Sequence, residues 1–204
     1  MTETQEKTAH PKGLWVLFGT EMWERFNFYG MRAILTLFMV NALMLGESNA
    51  SIIYGGFLAL CYLTPLLGGF IADKYLGNRS CIMLGGTLMA IGQFLLFYSA
   101  TIYGSNLEFS KAIFWLGLFL IIFGNGFFKP NISSMVGQLY PDTSAKKDAG
   151  YTIFYMGINA GAFLGMLLCG YIGEKIGWHY GFGLAGVFMF FGMLQFYFAQ
   201  KIFG

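Results

Sequence analysis

The chain has 204 residues, of which 56% are hydrophobic and only 11% are charged. Soluble domains carry about 25% charged residues, so this composition excludes an ordinary soluble protein and indicates an integral membrane protein. The formal net charge of +2 gives no indication of nucleic-acid binding.

Six apolar segments are long enough to cross a hydrocarbon core, which takes about 20 helical residues each. They cover residues 14–45, 51–76, 80–103, 111–139, 149–173 and 180–201. Because the connections are short, the sequence predicts an all-α membrane protein, with a cytoplasmic tail over 1–13 and a six-helix bundle over 14–204. The first span is too long and too polar for a cleaved signal peptide, so we expect it to act as its own insertion signal.

Small and sulfur-containing residues fit this picture. The 29 glycines are about twice the usual frequency, which suits membrane helices whose backbones approach closely. Cys61, Cys81 and Cys169 lie in apolar runs at unrelated spacings. They predict neither a disulfide framework nor a metal site.

Basic residues are unevenly divided between the two ends of the predicted bundle. One end holds only Lys111 and Lys175, while the other holds Lys7, Lys12, Lys74, Arg79, Lys146, Lys147 and Lys201. Cytoplasmic loops of membrane proteins carry an excess of lysine and arginine. Both termini are therefore predicted to lie in the cytoplasm.

The first span contains four charged residues, namely Glu21, Glu24, Arg25 and Arg32. Each costs about 2.5–3.5 kcal/mol at the centre of a membrane, so we expect them to pair or to face a polar interior. Glu21, Arg25 and Arg32 share one helix face with Tyr29, because they follow one another at helical spacings. This stripe is the first half of a predicted functional site.

An alternative begins the first helix near Phe26 and leaves the charged cluster at the membrane surface. It is disfavoured because it places the apolar residues 14–18 outside the membrane and still buries Arg32.

The fourth span carries a second polar cluster, Asn125, Lys129, Pro130 and Asn131. Pro130 removes the helical hydrogen bond to the carbonyl of Gly126, and a helix opened in this way is expected to face protein or a wet cavity. In the alternative, Lys129 extends along the helix to the inner membrane surface.

Residues 66–74 match residues 167–175 at an offset of 101 positions. The first copy ends the second helix inside and the other ends the fifth helix outside, so the predicted repeat is inverted, although two apolar helix ends can also match by chance. A three-plus-three inverted repeat is typical of transporters. The same offset carries the charged block 21–32 onto 122–133, which contains the second polar cluster.

The fifth span has a face of small residues, Gly157, Gly161 and Gly165, which predicts close helix contact. Asn159 lies near mid-span and is interpreted either as an interhelical clamp or as a ligand contact. Three tyrosines are further candidates to offer hydroxyl groups to the cavity, namely Tyr54, Tyr62 and Tyr155.

Residues 69–79 are interpreted as a tight inner loop between the second and third helices. Within it, Asp73 is expected to cap a helix or to pair with Arg79, and a plain solvated turn remains the alternative.

Together these residues resemble the proton-dependent oligopeptide transporters, the POT or PTR family of the major facilitator superfamily. Residues 21–30 are similar to the family signature ExxERFxYYG, except that Phe28, which has no hydroxyl group, stands where tyrosine is usual. Residues 69–74 resemble the superfamily's loop motif, beginning at Gly69. Residues 129–131 resemble the helix 4 lysine motif and 154–161 the helix 5 signature.

The resemblance implies the N-terminal six-helix half of a major facilitator fold, whose partner is a C-terminal six-helix bundle. It implies symport of di- and tripeptides with protons by alternating access across the plasma (bacterial inner) membrane, with no cofactor besides the coupling protons. It does not imply an enzyme.

The residues suggest specific roles within that function. For proton coupling we expect Glu21, Glu24, Arg25 and Lys129. For substrate binding we expect Arg25, Arg32, Tyr29, Tyr62, Lys129, Tyr155 and Asn159. For conformational change we expect Gly69, Asp73, Arg79 and Pro130.

Two other functions are weighed. A family member that carries nitrate or a modified amino acid would share these motifs. A membrane enzyme or channel is least favoured, because the chain has no HExxH, GxSxG or Walker-type sequence and its deep charges are mixed pairs.

Overall fold

A computed structural model describes residues 9–142 and 144–203 of the chain. These residues form six long α-helices, namely α1 (Lys12–Asn41), α2 (Glu47–Ile71), α3 (Asn78–Ile102), α4 (Leu107–Gln138), α5 (Lys147–Lys175) and α6 (Trp178–Ala199). A π-helical turn, Ala72–Leu76, extends α2, and a 3-10 turn, Gln200–Phe203, follows α6. The helices correspond in order to the six predicted spans. Lys7 and the rest of 1–8 lie outside the described residues.

Five of the helices, α2 to α6, contain a stretch long and apolar enough to cross a membrane. Helix α1 has 30 residues, and its buried charges distinguish it from the others. It begins at Lys12, so the alternative in which it begins near Phe26 is wrong. The charged block lies well inside the helix, as predicted.

Three predicted boundaries were wrong. Helix α1 ends at Asn41 and not at 45, and the turn that follows contains Gly46 with a φ of 74°. Helix α4 begins at Leu107, because the side chain of Asn106 accepts a hydrogen bond from the backbone N–H of Phe109 over 3.0 Å. The segment 69–79 is helical almost throughout, and the chain turns at Gly77, where φ is 76°.

The packing of the helices has an internal symmetry. Helix α1 packs on α5 and α6, α4 packs on α2 and α3, and α3 packs on α6. Exchanging α1 with α4, α2 with α5 and α3 with α6 leaves these contacts unchanged. Helix α5 also packs on α6, and its counterpart is the weaker contact of α3 with the π-helical turn after α2. Phe26 of α1 contacts Gly165 of α5, and the offset of 101 predicts a matching contact of Phe127 with Thr64. The observed contact is one residue away, between Gly126 and Thr64. This arrangement agrees with the predicted inverted repeat.

Glycines bring the backbones of α1 and α5 together. Gly161 and Gly165 lie directly against the backbone carbonyls of Met22 and Phe26, where a side chain would collide. The predicted contact face of small residues on α5 is confirmed. In lipid, where apolar burial gives no drive to association, such close packing supplies much of the attraction between helices.

Long-range contacts show which connections share an end of the bundle. His10 Nδ1 lies 2.7 Å from the Tyr140 hydroxyl, joining the start of α1 to the end of α4. Arg79 bonds to Phe203, joining the start of α3 to the chain after α6. Lys111 and Lys175 lie at the opposite end. The predicted separation of basic residues therefore holds over the described part of the chain, and the side that faces the cytoplasm stays a prediction.

Candidate functional site

Three charged side chains of α1 form a buried cluster. Glu21, Glu24 and Arg25 are 3%, 0% and 4% exposed. Arg25 donates from Nη2 to Glu24 Oε1 over 2.6 Å and from Nε to Glu24 Oε2. Its Nε also lies 3.3 Å from Glu21 Oε1, the pair that the i, i+4 spacing predicted. Each charge thus has an opposite charge beside it, as buried ions require.

The predicted convergence of α1 and α4 is present. Arg25 and Lys129 line the same small hollow, about 20 Å³ in volume, which is room for about one water molecule. Its lining is Arg25, Phe28, Tyr29, Leu58, Cys61, Tyr62, Asn125 and Lys129. Lys129 Nζ lies 5.0 Å from the centre of the Tyr62 ring, so this side chain points to the hollow and not to the end of α4.

Aromatic rings cover the cations. Arg25 Cζ is 5.1 Å from the centre of the Phe28 ring, so the residue that departs from the family signature still contacts the site. The Tyr29 ring lies between two guanidinium groups, 5.8 Å from Arg25 Cζ and 5.2 Å from Arg32 Cζ. Such contacts stabilise a cation where few polar acceptors are available.

Arg32 lies next to the hollow but does not line it. Its Nε donates a hydrogen bond to the Tyr54 hydroxyl over 3.0 Å. The hydroxyl of Tyr54, which was predicted to face the cavity, is therefore bonded to Arg32. Arg32 is half-buried.

Two predicted site residues of α5 lie away from the hollow. Tyr155 is 58% exposed, and Asn159 is exposed and makes no hydrogen bond to the described part of the chain. The interhelical clamp is therefore not formed here. The cause is helix geometry: Gly161 faces Arg25, and Asn159 lies roughly 160° around α5 from it.

Pro130 lies inside the continuous helix α4. The carbonyl of Gly126, which loses its helical donor, packs directly against Gly68 of α2. The opened segment therefore faces protein, in agreement with the prediction. Gly69 is close by, because a Cβ there would lie 3.8 Å from Pro130 Cβ.

Asp73 and Arg79 line a separate cleft of about 720 Å³ at the basic end of the bundle. Arg79 donates from Nη2 to the carbonyl of Phe203, and its Cζ lies 5.9 Å from the centre of the Phe203 ring. Within the described ranges Asp73 forms no ion pair, and α3 has no side-chain cap. The predicted cap or pair is therefore wrong, because Arg79 is directed to the chain after α6.

Asn125 lines the hollow but was not among the predicted site residues. Its Oδ1 accepts from Arg25 Nη2 over 3.4 Å, and its Nδ2 donates to the carbonyl of Cys61 over 2.9 Å. The signal in the sequence was its place in 122–133, the segment onto which the repeat carries the charged block.

The helices are of membrane length and pack as an inverted repeat, and a buried charged cluster lies beside a hollow that Arg25 and Lys129 share. These features define the chain as part of a multi-pass membrane transporter. Residues 79–204 match the model of PTR2, described as the POT family. The chain belongs to the POT family. It is thus part of a transporter and not of an enzyme, as the resemblance implied.

Known relatives agree with this assignment. The chain is 41% identical over 204 residues to a di-/tripeptide transporter of Lactococcus lactis subsp. lactis. It matches the crystal structure of a peptide transporter POT mutant in complex with alafosfalin at a TM-score of 0.88 and 42% identity, covering 95% of this chain and 39% of that one. For a POT family transporter in complex with 5-aminolevulinic acid, the TM-score is 0.85, the identity 36% and the coverage 95% and 39%. The chain spans 36–39% of the length of the curated relatives that it matches.

Proposed function

We propose that the chain is the N-terminal half of a symporter that carries di- and tripeptides together with protons by alternating access. The observation that carries the proposal is that Arg25 of α1 and Lys129 of α4 line one hollow beside two buried glutamates. Arginine and lysine side chains can bind the carboxylate of a peptide through charge-assisted hydrogen bonds, and glutamate carboxylates can bind a proton.

Charge balance couples the two ligands. The cluster Glu21, Glu24, Arg25, Arg32 and Lys129 has three cations and two carboxylates, and carries one net positive charge when both glutamates are ionised. Binding a proton releases one cation from its carboxylate, and an arginine can then grip the peptide carboxylate with two parallel hydrogen bonds. Proton and peptide therefore favour each other's binding, which symport requires.

Glu21 is the better first proton acceptor of the pair. Both oxygens of Glu24 are bonded to Arg25, while Glu21 Oε2 is buried without a hydrogen-bond partner among the described residues. An oxygen with a free lone pair binds a proton without first breaking an ion pair.

The substrate is placed at the mouth of the hollow, because a space for about one water molecule cannot hold a peptide. Its carboxylate would enter the hollow, and its backbone would lie against Tyr62, which is 67% exposed, and Tyr29. Tyr155 and Asn159 would contact the peptide from α5. An exposed asparagine within a membrane helix is costly against lipid, so it favours a polar partner outside the described helices.

In this proposal, a C-terminal bundle forms the other half of the transporter. Residues 14–204 would form the N-terminal bundle, and the relatives' greater length supports this division. Gly69, Asp73, Arg79 and Pro130 would act in the conformational change between the inward-open and outward-open states. The basic end would face the cytoplasm in a plasma membrane.

Proton-driven uptake of a labelled dipeptide by the full-length transporter in liposomes tests the function. We expect an inward proton gradient to drive uptake and Lys129→Ala to abolish it. Lys111→Ala is the matched control, because Lys111 pairs at 3.2 Å with Glu108, whose side chain is 84% exposed, and such surface pairs matter little. Equal uptake by the two variants, or uptake that ignores the gradient, would contradict the proposal.

A second candidate is a carrier of modified amino acids. The family member bound to 5-aminolevulinic acid favours it, since that ligand also presents a carboxylate. Competition of di- and tripeptides, 5-aminolevulinic acid and nitrate against the labelled dipeptide separates the two candidates. Peptides should compete best. Stronger competition by 5-aminolevulinic acid would support the second candidate, and stronger competition by nitrate would indicate a nitrate carrier.

A further inference from the structure

A proline in α2 leaves one backbone acceptor without its usual partner. The carbonyl of Cys61 would normally accept from the N–H of residue 65, but that residue is Pro65, which has none. Asn125 Nδ2 of α4 donates to this carbonyl over 2.9 Å. An unpaired carbonyl inside a membrane protein is strongly unfavourable, so the bond anchors the amide of Asn125.

The anchor also fixes which way the amide faces. A carbonyl only accepts hydrogen bonds, so it must meet the NH₂ group of Asn125, and the oxygen must point away from it. That oxygen lies 3.4 Å from Arg25 Nη2. Asn125 is 2% exposed, so no solvent competes for it.

The donors of Arg25 are divided between two kinds of acceptor. Nε and Nη2 are bonded to the carboxylates of Glu21 and Glu24, and Nη2 is shared with Asn125. Among the described residues, Asn125 is the one neutral acceptor of this guanidinium, and Nη1 makes no hydrogen bond. Arg25 thus has a donor left for a ligand in the hollow that it lines.

We propose that Asn125 is a positioning residue that holds Arg25 at the hollow while the neighbouring carboxylates gain and lose a proton. Protonation weakens the ionic hold of the glutamates on Arg25. The neutral amide keeps its hold, so the guanidinium stays where the carboxylate of the substrate would bind. The claim that Arg25 binds the substrate carboxylate rests on the proposed function. The claim that Asn125 fixes the position of Arg25 does not.

Asn125 does not titrate, so any change in pH dependence must act through the groups around Arg25. From α5, packed against Arg25, the neighbour is Gly161, which carries no charge. The titratable or charged groups that α1, α2 and α4 present around Arg25 are Glu21, Glu24, Tyr29, Arg32, Cys61, Tyr62 and Lys129.

Asn125→Leu removes both hydrogen bonds at similar side-chain size. We expect the KM for the dipeptide to rise roughly tenfold, as for the loss of one hydrogen bond to a charged group. The pH dependence of uptake should move to lower pH, because the protonated state of the cluster loses the acceptor that holds Arg25. The same variant leaves the Cys61 carbonyl unpaired, so it is also expected to unfold at a lower temperature.

Pro65→Ala separates positioning from folding. It restores an N–H four residues after Cys61, so α2 can pair that carbonyl itself. The double variant Asn125→Leu/Pro65→Ala should regain thermal stability, yet keep the raised KM and the shifted pH dependence. Pro65→Ala alone is the matched control and should resemble the wild type. Recovery of KM and pH dependence together with stability would overturn the proposal.

A measurement without peptide keeps this proposal distinct from the proposed function. Infrared absorption of the glutamate carboxyl groups in the full-length transporter reports their protonation directly. We expect protonation at lower pH in the double variant than in Pro65→Ala. A shift in a protein that takes up no peptide would support the role of Asn125 and contradict only the proposed function. Identical titrations would overturn the role of Asn125.

Discussion

Arg25 joins three helices in the membrane interior. It is bonded to Glu24 within α1 and to Asn125 on α4, and Asn125 is bonded in turn to the Cys61 carbonyl on α2. Because buried ions are stable only when paired, removing any one partner changes the environment of the rest. We therefore expect variants in this cluster to alter coupling, and to lower stability where they leave a charge or a carbonyl without its partner.

Replacement of Glu24 by glutamine tests coupling at the residue scale. Glutamine is neutral, like a protonated glutamate, but it releases no proton. In Glu24→Gln we expect gradient-driven uptake to fall by more than roughly tenfold, while peptide exchange without a gradient persists. Transport of labelled dipeptide in both modes measures this. Glu108→Gln, at an exposed surface pair, is the control. Gradient-driven uptake at the wild-type rate in Glu24→Gln would refute a role of Glu24 in coupling and leave Glu21 as the proton acceptor.

Periodicity accounts for the residues that the sequence predicted well. Helical spacing placed Glu21, Arg25 and Tyr29 on one face, and the repeat pointed to the segment that contains Lys129. The pairing of Asp73 with Arg79 was wrong because the true partner of Arg79 is Phe203, 124 positions along the chain. A contact between residues so far apart in the sequence cannot be predicted from a local sequence pattern.

At the scale of helices, prolines and glycines decide the contacts around the site. Pro65 in α2 and Pro130 in α4 each leave one backbone carbonyl without its helical hydrogen-bond donor. The two carbonyls lie on the facing sides of α2 and α4. Asn125 satisfies one of these, at Cys61, and the other, at Gly126, packs against Gly68. The sequence predicted the effect of Pro130, and the same reasoning applied to Pro65 would have identified the Cys61 carbonyl as an acceptor that needs a donor from elsewhere.

Close packing of α1 on α5 gives a prediction about stability. A Cβ at Gly165 would lie 2.9 Å from Phe26 Cα and closer still to its carbonyl oxygen. We expect Gly165→Ala to lower the free energy of unfolding by about 1–3 kcal/mol, because the backbones must move apart. Denaturation in mixed micelles measures it.

Gly55 on α2 provides the matched control. A Cβ there meets nothing within 4 Å, so Gly55→Ala should be neutral or stabilising by about 0.5–1 kcal/mol. Equal losses in the two variants would contradict the assigned contact and indicate a general effect of the substitution.

At the scale of the whole molecule, length and hydropathy were sufficient for the five spans α2 to α6, because each helix must satisfy its own backbone in lipid. Helix α1 was predicted from the apolar residues on either side of its charged block. Helix ends were predicted less well, since they depend on local features such as the Asn106 cap and the turn at Gly77.

The predicted orientation is tested by a single cysteine in place of Lys111. In a chain with the three native cysteines removed, a membrane-impermeant thiol reagent should label it from outside the cell, and labelling only from inside would reverse the orientation.

The central claim is that Arg25 and Lys129 together bind a carboxylate. The most direct test compares the affinity of the full-length transporter for a dipeptide and for the same dipeptide with an amidated C-terminus. We predict that the wild type and Lys111→Ala bind the free acid more than roughly tenfold more tightly, and that Lys129→Ala largely loses this preference. Equal affinity of the wild type for acid and amide would contradict the account.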